Sequence, residues 1–130
     1  MAQIIEDYCS FETAKLLKEK GFDAPCLSYF WTEENGANIS YCETPFTNQQ
    51  LYSGQTLRPT LQMAMKWLRE KNWFICIIPL AFYCGEKACK FGYNIWADDN
   101  LEIDEFDTPK FNTYEEATES AIKYCLENLI

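Results

Sequence analysis

The sequence predicts an α+β fold, a mainly antiparallel sheet of two hairpins with three helices, in the order α-ββ-α-ββ-α. Three observations carry this. Apolar residues recur at helical spacing in three separate segments. Two pairs of strand-like runs flank turn signals. The 130 residues are 48% hydrophobic and 24% charged, which suits a single α+β domain over residues 1–130. Helices packed on one face of the sheet complete the expected layering.

The first helix starts near Ser10, a good N-cap, and runs through FETAKLLKEK to a stop at Gly21. Phe11, Ala14 and Leu17 share one face, with Leu16 beside them, while Lys15, Lys18 and Glu19 lie outward. Runs at 27–32 and 38–43 then flank Glu33-Glu34-Asn35-Gly36. Asn-Gly between such runs is a strong hairpin signal. Residues 44–58 read as a loop, from Pro45, the polar stretch at 47–50 and Ser53-Gly54.

The second helix is expected around Pro59, in its first turn. Leu61, Ala64, Met65 and Leu68 follow the amphipathic pattern, and the helix ends near Lys71-Asn72. The run Trp73-Phe74-Ile75-Cys76-Ile77-Ile78 is continuously apolar and reads as a central strand buried on both faces. Pro79 ends or bends it. Residues 85–90 turn the chain and 91–97 return as a strand, where Phe91, Tyr93 and Ile95 alternate with Gly92, Asn94 and Trp96.

Leu101 and Ile103 alternate with acids, which suggests an edge strand. The third helix opens at Thr113, with Glu116 three residues on as a capping box, and runs to the C-terminus. Ala117, Ala121, Cys125 and Leu129, widened by Ile122 and Leu126, form its apolar stripe, and Glu119 and Lys123 an outer pair. Residues 14–20 align with 65–71, each segment followed by a breaker and an aromatic. A duplicated helix–hairpin unit would give that, and so would two helix ends that both favour cations.

Charge is unevenly placed. Residues 1–97 hold ten acids and nine bases, net −1, while residues 98–130 hold ten acids and two bases, net −8. Direct binding of nucleic acid or of an anionic membrane is disfavoured, because both need clustered Lys and Arg. With no histidine, the commonest general base, the commonest metal ligand and every Ser-His or Cys-His arrangement are absent. No P-loop, GxGxxG, HExxH or GxSxG motif occurs. No catalytic residue, metal site or cofactor is expected, and the chain does not read as an enzyme.

The seven cysteines are odd in number and contain no CxxC pair, so reduced, mostly buried thiols are expected. Cys9, just before the first helix, has the placement of an activated thiol, although packing beside the N-cap explains it as well. The N-terminal residues show no basic-then-apolar leader and no run spans a bilayer, which suggests a cytoplasmic protein.

The sharpest feature is the stretch from 98 to 107, with Asp98, Asp99, Glu102, Asp104, Glu105 and Asp107. Six carboxylates in ten residues need solvent, a cation or a basic partner. Such a surface imitates a phosphate backbone and suits a basic protein such as a nucleic-acid-processing enzyme. A calcium loop fits poorly, since the ligand order fails the EF-hand template. A solvated edge that blocks aggregation is the plainest reading. Twenty-one aromatics (four Trp, eight Tyr, nine Phe) exceed ordinary core needs. Tyr29, Phe30, Trp31, Tyr41, Phe46 and Tyr52 concentrate in and after the first hairpin, where no Lys or Arg occurs from Asp23 to Leu57. Core packing or protein contact explains them better than base stacking.

The phrases IIEDYCSFETAKLLKEKGFD, PTLQMAMKWLREK and FNTYEEATESAIKYCLENLI resemble a family of small hypothetical proteins of Bacteroidales-type gut bacteria, their phages and mobile elements. The similarity covers the three helices, about two fifths of the chain. It implies a prokaryotic cytosol and phage ancestry, and it brings no activity. Small acidic phage proteins often disable a host protein, so an inhibitor of a host nuclease such as a CRISPR effector is the most specific expectation. The alternative is a small-molecule or peptide-binding module using the aromatic loop after the first hairpin. A homodimer through exposed aromatics or a strand edge is a further expectation.

Overall fold

The protein is described from a computed structural model, over residues 5–33, 36–47, 50–52, 54–80 and 90–130. The helices are α1 (Phe11–Glu19), α2 (Leu61–Glu70) and α3 (Tyr114–Tyr124). The strands are β1 (Cys26–Glu33), β2 (Gly36–Phe46), β3 (Gln55–Leu57), β4 (Trp73–Pro79), β5 (Phe91–Ala97) and β6 (Asn100–Ile103). The class is α+β with antiparallel pairing, as the pattern predicts, plus the additional strand β3. The strands form two sheets, β2-β1-β3 and β4-β5-β6. The chain divides into two compact units, residues 1–64 and 65–130.

In the first unit, the Ser10 side chain caps α1 by accepting from the Thr13 amide at 3.3 Å. Gly21, at φ 95°, ends the helix. The Phe22 amide donates to the Leu17 carbonyl and the Gly21 amide to that of Lys18, the bond pair that closes a glycine-terminated helix. Ala14, Leu17, Phe22 and Cys26 are buried, and the Phe11 ring stands edge-on to Phe30 at 5.3 Å. β1 and β2 pair regularly from Ser28↔Tyr41 to Glu33↔Gly36. The predicted turn residues Glu34 and Asn35 lie outside the described residues.

Two expectations need correction here. The predicted loop at 44–58 contains the end of β2 and all of β3, which pairs with β1 through Tyr29↔Leu57 and Trp31↔Gln55. A three-residue strand carries too little period to be read. Its register is set by β1, and its Thr56 and Leu57 are buried. Pro59 lies ahead of α2 instead of in its first turn. The Thr60 hydroxyl accepts from the Met63 amide at 3.1 Å, while the Pro59 carbonyl accepts from the Cys9 amide at 2.9 Å. Leu61, Ala64, Met65 and Leu68 are buried as the pattern requires.

In the second unit, Asn72 takes a left-handed φ of 68° and turns the chain into β4. β4 pairs with β5 from Trp73↔Ala97 to Pro79↔Phe91, and β5 with β6 from Ile95↔Ile103 to Ala97↔Asn100. The central strand is therefore β5, and β4 lies at an edge of this sheet. β4 is also not buried on both faces: Ile75 is buried while Phe74 and Cys76 are exposed. Its apolar run reflects one core face and one apolar outer face.

The Thr113 side chain caps α3 by accepting from the Glu116 amide at 3.1 Å. Ala117, Ala121, Ile122, Cys125 and Leu126 are buried, and Leu129 half-buried. The helix widens to a π turn over Cys125–Leu129. α3 packs on β4 and β5, where the Tyr93 ring stacks on Phe111 at 6.2 Å. Central strands β1 and β5 occupy different sequence positions within their units, so the segments after the two similar helix ends fold with different strand order.

Candidate interaction surface

The acidic stretch folds as a turn, a strand and a 3-10 turn. Asp98 and Asp99 link β5 to β6. Asp98 takes φ 56°, and its amide donates to the Asn72 carbonyl at 3.2 Å. The pairing skips a residue between Leu101 and Ile103, so Glu102 is the extra residue of a bulge. Asp104 Oδ1 then accepts from the Phe106 amide at 3.0 Å and caps the turn Glu105–Asp107. Glu105 Oε2 accepts from Asn94 Nδ2 at 3.1 Å, and Asn94 Oδ1 from Trp96 Nε1 at 3.1 Å.

The six carboxylates thus divide by task. Asp98, Asp99, Glu102 and Asp107 are exposed, while Asp104 and Glu105 are half-buried and hydrogen-bonded within the fold. Composition cannot separate the two groups, because the division depends on which acid precedes a turn and which faces Asn94.

Paired residues of an antiparallel sheet share a face. Phe74, Trp96 and Leu101 consequently form one row across β4, β5 and β6. They lie opposite Ile75, Tyr93 and Ile95, which are buried. Phe74 is 38% exposed and Leu101 43%. Cys76 on the same face is exposed, and Ile78 and Trp96 are half-buried. At the other end, Gly92 leaves room for Leu80, whose Cδ1 would lie 3.0 Å from an added Cβ, with Glu105 beside it. The outer face is covered there and open around Phe74, Trp96 and Leu101. Sequence reading missed these three. The signal was the alternation along 91–97, which already marks a sheet with two unlike faces.

The aromatic group of the first hairpin is dispersed. Phe30 is buried and Tyr29 packs on Phe46 at 5.8 Å, whereas Tyr41 and Tyr52 are largely exposed. Arg58 gathers three rings: its Cζ lies 3.9 Å from the Tyr8 centroid and 5.6 Å from those of Phe30 and Tyr41. Nη1 donates to Ser28 Oγ at 3.3 Å and to the Tyr41 hydroxyl at 3.1 Å. The second unit carries an open surface depression of about 280 Å³ lined by Tyr93, Ser120, Lys123, Tyr124, Glu127 and Asn128. Lys123 Nζ lies 3.9 Å from Glu127 Oε1.

Cys9, Cys26 and Cys125 are buried free thiols, Cys42 is half-buried and Cys76 exposed. Cys84 and Cys89 lie outside the described residues. Burial pushes the Cys26 and Cys125 thiols up to about 12, the opposite of activation. Cys9 Sγ donates to the Thr60 carbonyl at 3.8 Å. Among the described residues no three Cys, Asp or Glu side chains converge to hold a metal, and no helix is long and apolar enough to cross a membrane.

No protein-family model, curated protein or solved structure matches this chain.

Proposed function

We propose that this is a non-enzymatic interaction protein that binds a basic protein through the outer face of β4-β5-β6 and its carboxylate edge. The observation that carries this reading is the row Phe74–Trp96–Leu101 beside the exposed Asp98, Asp99 and Glu102. Half-exposed aromatics supply contact area, and a charged border supplies orientation and long-range attraction. A Lys/Arg-lined nucleic-acid channel has the complementary chemistry. The similarity of the three helices to small phage and mobile-element proteins supports a host nuclease, such as a CRISPR effector, as the partner.

The test is capture from a bacterial lysate with three proteins. One is the native chain, one carries Asp98→Asn, Asp99→Asn and Glu102→Gln, and one carries Phe74→Ala and Leu101→Ala. Asp104 and Glu105 are left in place because they support the turn. A basic protein retained by the native chain, lost from both variants and released as salt rises is the expected result. Equal capture by all three places the site elsewhere and overturns the reading.

A further inference from the structure

The first unit presents a strand edge that its own sheet leaves open. β2 runs from Gly36 to Phe46 and pairs with β1 on one side; among the described residues no strand lies on its other side. The direction of its backbone groups follows from two bonds of β1. The Ser28 carbonyl accepts from the Arg58 amide at 2.9 Å, and the Thr32 amide donates to the Gly54 carbonyl at 3.1 Å. Ser28, Phe30 and Thr32 therefore direct their backbone groups toward β3. Their β2 counterparts Tyr41, Ile39 and Ala37 direct theirs away from β1, into the open edge.

This edge lacks the devices that usually prevent strand addition. From Gly36 to Cys42 there is no charged residue and no proline. Pairing is regular from Gly36 to Tyr41, with the irregularity confined to the Cys26/Ser28 end. Ile39 is 48% and Tyr41 68% exposed. The β6 edge of the other sheet differs, since β6 carries Glu102 in a bulge and leads into acids.

We propose that β2 pairs antiparallel with β2 of a second copy of this chain, Ile39 opposite Ile39. The argument for a second copy is self-complementarity. A two-fold axis at Ile39 makes a hydrogen-bonded pair of the two isoleucines and sets Ala37 opposite Tyr41 of the second copy on either side. Outward amides and carbonyls of Ala37, Ile39 and Tyr41 then close about six hydrogen bonds. Two isoleucines meet side by side, and each exposed tyrosine covers a small residue. Glu43, the one carboxylate of β2, falls beyond the central stretch, so no like charges oppose each other there. The two three-stranded sheets become one continuous sheet with closed symmetry.

The experiment is sedimentation velocity over a concentration series, combined with amide hydrogen exchange. The native chain is expected at twice its 15.2 kDa mass, with the amides of Ala37, Ile39 and Tyr41 protected as dimer forms. Ile39→Lys, at an exposed position, is expected to sediment as monomer with unchanged circular dichroism. Ala37→Lys serves as the second variant if Ile39→Lys fails to fold. A native chain that is monomeric throughout overturns the proposal. So does a dimer that both variants leave intact, or one whose Ala37, Ile39 and Tyr41 amides still exchange freely. The edge variants lie outside the Phe74–Trp96–Leu101 row, so failure here leaves the proposed partner surface separately testable.

Discussion

Arg58 lies over the ring of Tyr8, its Cζ 3.9 Å from the centroid, and directs Nη1 into the hydroxyls of Ser28 and Tyr41. Its Nε is buried and has no hydrogen-bond partner among the described residues. The guanidinium is therefore held by ring faces and two hydroxyls. It joins the segment before α1 to β1, β2 and the residue after β3.

Replacing that guanidinium should weaken the first unit. Arg58→Lys keeps a cation but loses the planar fork and its paired bonds. A loss of about 1–2 kcal/mol is expected. A double-mutant cycle with Tyr8→Leu in urea denaturation should show coupling of about 1 kcal/mol. Additive losses would mean the stack contributes nothing of its own.

The two helix caps should behave independently. Ser10→Ala and Thr113→Ala each remove the acceptor for one N-terminal amide, of Thr13 and of Glu116. Each should cost about 1 kcal/mol. Because the caps are remote in sequence and belong to different compact units, the double variant should lose their sum. Urea midpoints of the three variants check this.

Within the acidic stretch, stability should separate two kinds of carboxylate. Asp104→Ala removes a cap and Glu105→Ala a bond to Asn94, and each should lower stability by about 1 kcal/mol. Asp99→Asn and Asp107→Asn should change it by less than about 0.5 kcal/mol. Thermal melts of the four variants give the answer, and a uniform response would contradict the division drawn above.

Buried thiols make stability fall in alkali. Burial raises Cys26 and Cys125 from 9.0 to about 12 in the folded chain. Below pH 9 both states keep the proton. Between about 9 and 12 the unfolded chain releases it while the folded chain cannot, so the stabilisation is lost as pH rises. Urea midpoints measured across that window should decline, and less steeply in Cys26→Ala and Cys125→Ala. At neutral pH a thiol reagent should label the exposed Cys76 well before either.

Much of the architecture was legible because local chemistry and tertiary structure agreed. Ser10 and Gly21 bound α1, Thr113 opens α3, and the alternation along 91–97 marks β5. What escaped depended on distant partners. Gln55-Thr56-Leu57 is a strand because β1 lies beside it. The apolar run of β4 looked central because an apolar outer face cannot be told from a buried one by composition. The carboxylates were legible as a group, but the placement of Asp104 and Glu105 depends on an amide and on Asn94. The row Phe74–Trp96–Leu101 required the register of three strands.

Lys18 extends from α1 to the Gln55 carbonyl at 2.8 Å. Gln55 stands opposite Trp31, whose backbone groups face β2, so this carbonyl lies on the outer margin of β3. An ammonium group occupies a position where an additional strand would have to dock, on a margin three residues long. Growth of this sheet is blocked at one side by a charged side chain and permitted at the other. The isologous pairing proposed for the free side would use that edge up in both copies, so growth of this sheet would stop at a pair.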